Sequence, residues 1–190
     1  MYADVTHENG LSETLVASAQ VPEPGAPEQT DLFLASDPDD SWHVDAASVA
    51  AASVRCELPD GGAMVWESDA TLHENREAPL RFKILDAAGK PAALQPYMGM
   101  LGHAAIRRDD GLVFAHLHPV GSISMASQDF FTRGEPMDHS QHLAAKEAAD
   151  SVSFPYEFPK SGRYRIWVQV KSGDRVLTGV FDTEVEPARK

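Results

Sequence analysis

The stretch Leu101-Gly-His-Ala-Ala-Ile-Arg-Arg-Asp-Asp-Gly-Leu-Val-Phe-Ala-His-Leu-His118 decides how this chain is read. Leu101 to Arg107 and Leu112 to His118 are β-prone runs flanking Arg-Asp-Asp-Gly, a hairpin signal. With Asp110-Gly111 as a two-residue type I′ turn, Asp109 pairs with Leu112, Ile106 with Ala115 and His103 with His118. Side chains alternate along a strand, so Ala104, Ile106, Val113, Ala115 and Leu117 share one face while His103, His116 and His118 share the other. A slip of one residue buries the imidazoles and exposes the apolar set, so burial selects this register.

The same grammar extends in both directions. Ser53 to Leu58 and Ala63 to Glu67 flank Pro-Asp-Gly-Gly, and Leu80 to Leu85 alternates apolar with basic residues. Val152 to Phe158, Arg163 to Val170 and Val176 to Val185 supply three more runs. Seven or eight short strands in about 135 residues predict an all-β chain, an antiparallel immunoglobulin-like or cupredoxin-like β-sandwich. Trp167, Phe82, Phe114 and Tyr164 fall on or near these strands, and Tyr164, just after Ser161-Gly162, is placed to pin the corner between the sheets. The sandwich is expected over residues 46–190, with a long insertion at 120–151 that holds one helical candidate, Ser140 to Ala149.

Ahead of the sandwich, residues 23–45 read as an acidic, Pro-rich linker. Residues 1–22 read as a hairpin turning near Asn9-Gly10, and they repeat the outline of the segment from Trp167 to Pro187. Each copy has an aromatic residue, an alternating strand, a Gly turn, then Thr-x-Val and a closing Val. Internal similarity of this kind predicts the terminal hairpin of an upstream domain, paired with a neighbouring molecule or added to an exposed sheet edge. The alternative is a chance likeness, since hairpins share a limited vocabulary.

Composition narrows the function. Of the 190 residues, 43% are hydrophobic and 24% charged, an ordinary globular balance. A net charge of −13 repels phosphate backbones and excludes nucleic-acid binding. Cys56 stands alone, so neither an intramolecular disulfide nor a zinc site with two thiolates can form. The least charged runs are too polar to insert into a membrane. Met1 to Gly10 carries Asp4 and Glu8 and lacks the apolar run of a secretory signal, so the chain reads as cytosolic or as a soluble part of a longer exported protein.

The chemistry-bearing residues are histidines and methionines. Imidazoles facing one another across a hairpin can converge on a metal at about 2 Å per bond. The insertion adds Met125 and then Glu135-Pro-Met-Asp-His-Ser-Gln-His, which brings Met137, His139 and His142 together. Thioethers favour Cu(I), and imidazole suits copper and zinc alike, so the expected cofactor is copper, with zinc second. The expected ligands are His103, His116 and His118, with Met125, Met137, His139 and His142 as capture groups. The competing reading is an adhesion or spacer module whose histidines organise the insertion through hydrogen bonds. Blue-copper chemistry needs a Cys beside its His ligands, and Cys56 reads instead as a small hydrophobe. No Gly-x-Ser-x-Gly, phosphate loop or His-Glu-x-x-His occurs, so no catalytic activity is expected.

The runs Pro96-Tyr-Met-Gly-Met-Leu-Gly-His-Ala-Ala-Ile, Asp110-Gly-Leu-Val-Phe-Ala-His-Leu-His-Pro-Val-Gly and Phe154-Pro-Tyr-Glu-Phe-Pro-Lys-Ser-Gly-Arg-Tyr-Arg-Ile-Trp-Val-Gln resemble uncharacterised immunoglobulin-like domains of the bacterial envelope related to the YtkA-like group. The resemblance spans roughly Ala78 to Glu186, and its most specific part is the Gly-His…His-x-His-Pro pattern. It implies a β-sandwich in the periplasm or on the outer surface, often within a membrane-anchored protein and sometimes in a copper or heavy-metal context. It implies no reaction. The loop from Met137 to His142 lies outside the shared pattern, so its copper role rests on ligand chemistry alone.

Overall fold

Alternation of apolar and polar residues builds both layers of the molecule. The computed structural model describes residues 2–7, 12–20, 54–67, 71–98, 100–119, 121 and 149–188. The strands are β1 (Tyr2–Thr6), β2 (Ser12–Val16), β3 (Arg55–Glu57), β4 (Ala63–Glu67), β5 (Leu72–His73), β6 (Glu77–Leu85), β7 (Leu94–Gln95), β8 (His103–Arg108), β9 (Phe114–Leu117), β10 (Ser151–Glu157), β11 (Gly162–Ser172) and β12 (Arg175–Glu186). No helix occurs among the described residues. The helical candidate, apart from Ala149, and the linker at 23–45 lie outside them.

One sheet runs β10-β6-β4-β3 and the other β5-β12-β11-β8-β9, with β7 pairing the end of β11. All pairs are antiparallel except β5 with β12. Two facing antiparallel sheets whose strands exchange between layers make an immunoglobulin-like sandwich. Its corner is fixed as expected: the buried Tyr164 is the third residue of β11, and its hydroxyl donates to the Lys160 carbonyl at 2.6 Å. Burial pushes the Tyr164 hydroxyl above the usual tyrosine range, despite the nearby Arg108.

Inward residues of β6 (Leu80, Phe82, Ile84) and β11 (Ile166, Val168, Val170) have no exposed surface. Aromatic rings carry the contact between layers: Phe82 lies 5.0 Å from Phe181, and Trp66 edges onto Phe181 at 6.0 Å. Each such pair adds about 0.5–1.5 kcal/mol beyond the area it buries.

Three features differ from the sequence reading. β5 and β7 are two residues long, too short to show a period. β6 begins at Glu77 rather than Leu80 because Pro79 sits directly opposite Pro155, at the end of β6 where only β10 is beside it. Ile84 N–H bonds the Asp150 carbonyl, so even-numbered β6 residues turn their N–H groups toward β10, whereas Pro79 turns its nitrogen to the side where β4 has already ended and no donor is needed. Finally, β1 and β2 form the expected hairpin but pair only with each other among the described residues. They meet the sandwich through the Tyr2 side chain instead of adding to its edge.

Tyr164→Phe removes the corner hydrogen bond without opening a cavity. It should lower the unfolding free energy by about 1 kcal/mol with an unchanged denaturant slope, read by chemical denaturation. An unchanged midpoint would show that the corner bond contributes nothing.

Candidate metal centre

The site is built on β8 and β9. Ile106 is opposite Ala115, Ala104 opposite Leu117 and Ala105 opposite His116, the register expected from the sequence. The turn that sets it has a different geometry. Asp110 does not adopt the positive φ of a type I′ turn, and only Gly111 does, at 73°. Arg108 N–H bonds the Val113 carbonyl at 2.9 Å and Gly111 N–H bonds the Arg108 carbonyl at 2.9 Å, so residues 109–112 form a four-residue connection. The Asp110 carboxylate accepts from Leu112 N–H at 3.0 Å and holds this loop. Two-residue and four-residue connections have the same parity, so the pairing is preserved.

Ala104, Ile106, Val113 and Leu117 accordingly join the core, with Ala115 packed against it. His103, His116 and His118 stand together on the outer face. Neighbouring backbone fixes each end of the cluster. Gly102 brings β8 against β11 so closely that a Cβ there would sit 2.9 Å from the Gln169 carbonyl oxygen. Tyr97 and Met100 close a tight turn with two mutual backbone bonds of 2.6 and 3.1 Å. His118 and Gly121 close another, with 2.8 Å in each direction.

The rings pack at centroid separations of 5.7 Å (His103–His116), 5.2 Å (His103–His118) and 4.8 Å (His116–His118). One ring nitrogen from each lies within 4.8 Å of the others. Tetrahedral coordination at about 2.05 Å per bond brings such nitrogens to about 3.3 Å, so the rings swing inward to close on an ion. His103 and His118 are 8% and 7% exposed, and His116 is the most open of the three. Tyr97 covers His103 edge-on at 5.7 Å. His103 Nε2–H donates to the Tyr97 carbonyl at 3.0 Å, which commits that nitrogen and leaves the lone pair on Nδ1. Burial pushes the His103 pKa below the usual imidazole range. The Tyr97 carbonyl opposes that shift, and charge on His118 and His116 adds to it.

The capture groups Met125, Met137, His139 and His142 lie outside the described residues. His7 pairs with Glu13 at 2.7 Å, and buried His73 bonds the Pro187 carbonyl at 3.2 Å; both are away from the cluster. Cys56 is half-buried on β3, with its sulfur 3.5 Å from Val180 N–H. Sequence reasoning missed Gly102 and Tyr97, which shape the site, and the turn with Met98 and Met100 that carries Tyr97. The Met-x-Met spacing five residues before His103 was the available signal. Met98 is 72% exposed and holds a left-handed φ of 49°. A cleft of about 840 Å³ opens elsewhere, beside Trp66, Leu72 and Arg81. It adjoins positions outside the described residues and carries no comparable cluster.

A protein-family model described as "Domain of unknown function (DUF8832)" matches residues 57–187, which includes the whole histidine cluster. No curated relative matches the sequence. Among solved structures, the chain is similar to the "Crystal structure of the Lin-41 filamin domain" at 15% identity and a TM-score of 0.35, over 73% of this chain and 100% of that one.

Gly102→Ala should cost about 1–3 kcal/mol, because the added methyl meets the Gln169 carbonyl oxygen first, with Val170 and Val152 just beyond it. It should also shift the His103 ring resonances, since β8 must retreat from β11 to admit it. Wild-type stability with unmoved resonances would mean that the close approach is not needed.

Proposed function

The chain belongs to the family described as Domain of unknown function (DUF8832); we propose that its sandwich is a non-catalytic metal-binding domain with copper as its ion. The observation that carries this reading is the convergence of three imidazoles on the outer face, their ligand atoms within 4.8 Å of one another. The Tyr97 carbonyl supports it, because a histidine whose second nitrogen is tied to a carbonyl is fixed in tautomer and orientation for binding. Three imidazoles suit copper and zinc alike; the methionines close to them in sequence favour copper. Met98 and Met100 adjoin the cluster in the chain, and Met125 and Met137 follow it. The domain works on the periplasmic or extracellular side of a bacterial envelope, within a larger anchored protein, where Met-rich copper capture is chemically useful. In the competing reading the sandwich is a spacer or adhesion module, and its histidines bind nothing.

Titration of metal-free protein with Cu(I) and with Zn(II) separates the two. A ligand at 100 times its dissociation constant should stabilise the fold by about 2.7 kcal/mol, seen as a raised thermal midpoint. His118→Ala should weaken binding at least tenfold, and His7→Ala should leave it unchanged. Affinity should fall as pH drops through about 6.5, because protons and metal compete for the same lone pairs. His103 takes up its proton later than an ordinary imidazole, so its share of the loss comes at the acid end of that range. No midpoint shift with either ion, or a His118→Ala variant that binds like the parent, rejects the metal site.

A further inference from the structure

The N-terminal hairpin is seated on the sandwich by one aromatic residue. Tyr2 of β1 lies flat on Phe114 of β9, with ring centroids 4.0 Å apart and planes within 9°. Its hydroxyl accepts from Arg107 Nε at 3.0 Å and donates to the Gly111 carbonyl at 3.4 Å. Arg107 and Phe114 are directly opposite one another in the β8–β9 pair, so together they form a small platform on the outer face. One ring thus meets a flat apolar surface, a cation and a carbonyl at once.

The seated hairpin repeats β11–β12 in register as well as in sequence. Tyr2 is opposite Val16 as Trp167 is opposite Val180. Ala3 is opposite Leu15 as Val168 is opposite Gly179, and Asp4 is opposite Thr14 as Gln169 is opposite Thr178. The two copies differ in their connections, residues 7–11 in the first and 173–174 in the second. A chance likeness in composition does not require the aromatic, the Thr and the Val to hold the same cross-strand positions. In both copies the first of these positions holds a flat ring with a polar N–H or O–H, the type that joins apolar stacking to a hydrogen bond or a cation contact.

We propose that the Arg107–Phe114 platform is a docking surface for the terminal hairpin of a second sandwich of this type, with residues 2–16 as its occupant in this chain. The contact is then a joint between like units placed head to tail, independent of any metal at the neighbouring histidines.

Two full-length variants test it by NMR and amide exchange. Tyr2→Ala should speed exchange in β1 and β2 at least tenfold and move the Gly111 and Phe114 resonances, leaving the amides of Ile166 and Val168 as they are. A chain in which residues 2–16 are exchanged for a second copy of residues 167–180 should keep the Gly111 and Phe114 resonances in their docked positions, with Trp in place of Tyr. If Tyr2→Ala changes neither exchange nor resonances, the docking surface is wrong. If Tyr2→Ala undocks the hairpin and the exchanged copy also fails to dock, the contact is peculiar to residues 2–16 and the joint between like units is rejected.

Discussion

The pairing of Ile106 with Ala115 is the constraint from which the rest of the histidine site follows. An even connection between β8 and β9 fixes which residues face each other, and the core then claims one side of both strands. Ile106 and Leu117 have no exposed surface, so shifting either strand by one residue would exchange that apolar set for imidazoles. Burying a polar ring without a partner costs about 1–3 kcal/mol, and exposing two aliphatic side chains costs about 1.5–3 kcal/mol each. The register is therefore held by the core, and the convergence of His103, His116 and His118 is a geometric consequence of it.

What the core does not dictate is how those imidazoles are kept. His103 and His118 are nearly buried on a face that points away from the core, which requires cover from other elements. The Tyr97–Met100 turn supplies it for His103, with a ring above and a carbonyl in line. A lone hydrogen-bonded histidine needs no more than that. The three rings are in mutual contact, and burial and the neighbouring rings both disfavour charge on His103.

The fold and the histidine face were legible because both depend on period-two alternation, which needs only the order of residues. Even an incorrect turn type was harmless. Asp110-Gly111 suggested a two-residue connection and the chain makes a four-residue one, but only odd and even differ in register. The illegible parts depend on through-space contact between residues distant in sequence. Gly102 reads as an ordinary glycine until the Gln169 carbonyl is beside it, and Tyr97 reads as a loop aromatic until its carbonyl meets His103. β5 is visible only through its parallel pairing with β12, because two residues carry no period. The repeat at residues 1–22 lay between these cases. Its sequence outline was visible, but only the cross-strand partners distinguish a copied hairpin from a common one.

Docking platform and histidine site share β9, on which Phe114 and His116 alternate along one face. Residues two apart on a strand stand about 6.8 Å from each other along its axis, so the two sites are neighbours without sharing a side chain. Coupling between them must travel through the backbone of β9, and that strand is tied along Ala104–Leu117 to a partner whose other edge is fixed to β11. Closing three imidazoles on an ion needs ring rotation, which leaves this ladder intact. Seating Tyr2 needs only the Phe114 face and the Arg107 guanidinium, which also leaves it intact. The two side-chain events share no partner and leave the strand ladder in place. The outer face of β8 and β9 can thus hold an ion and a neighbouring hairpin at once, with neither obliged to displace the other.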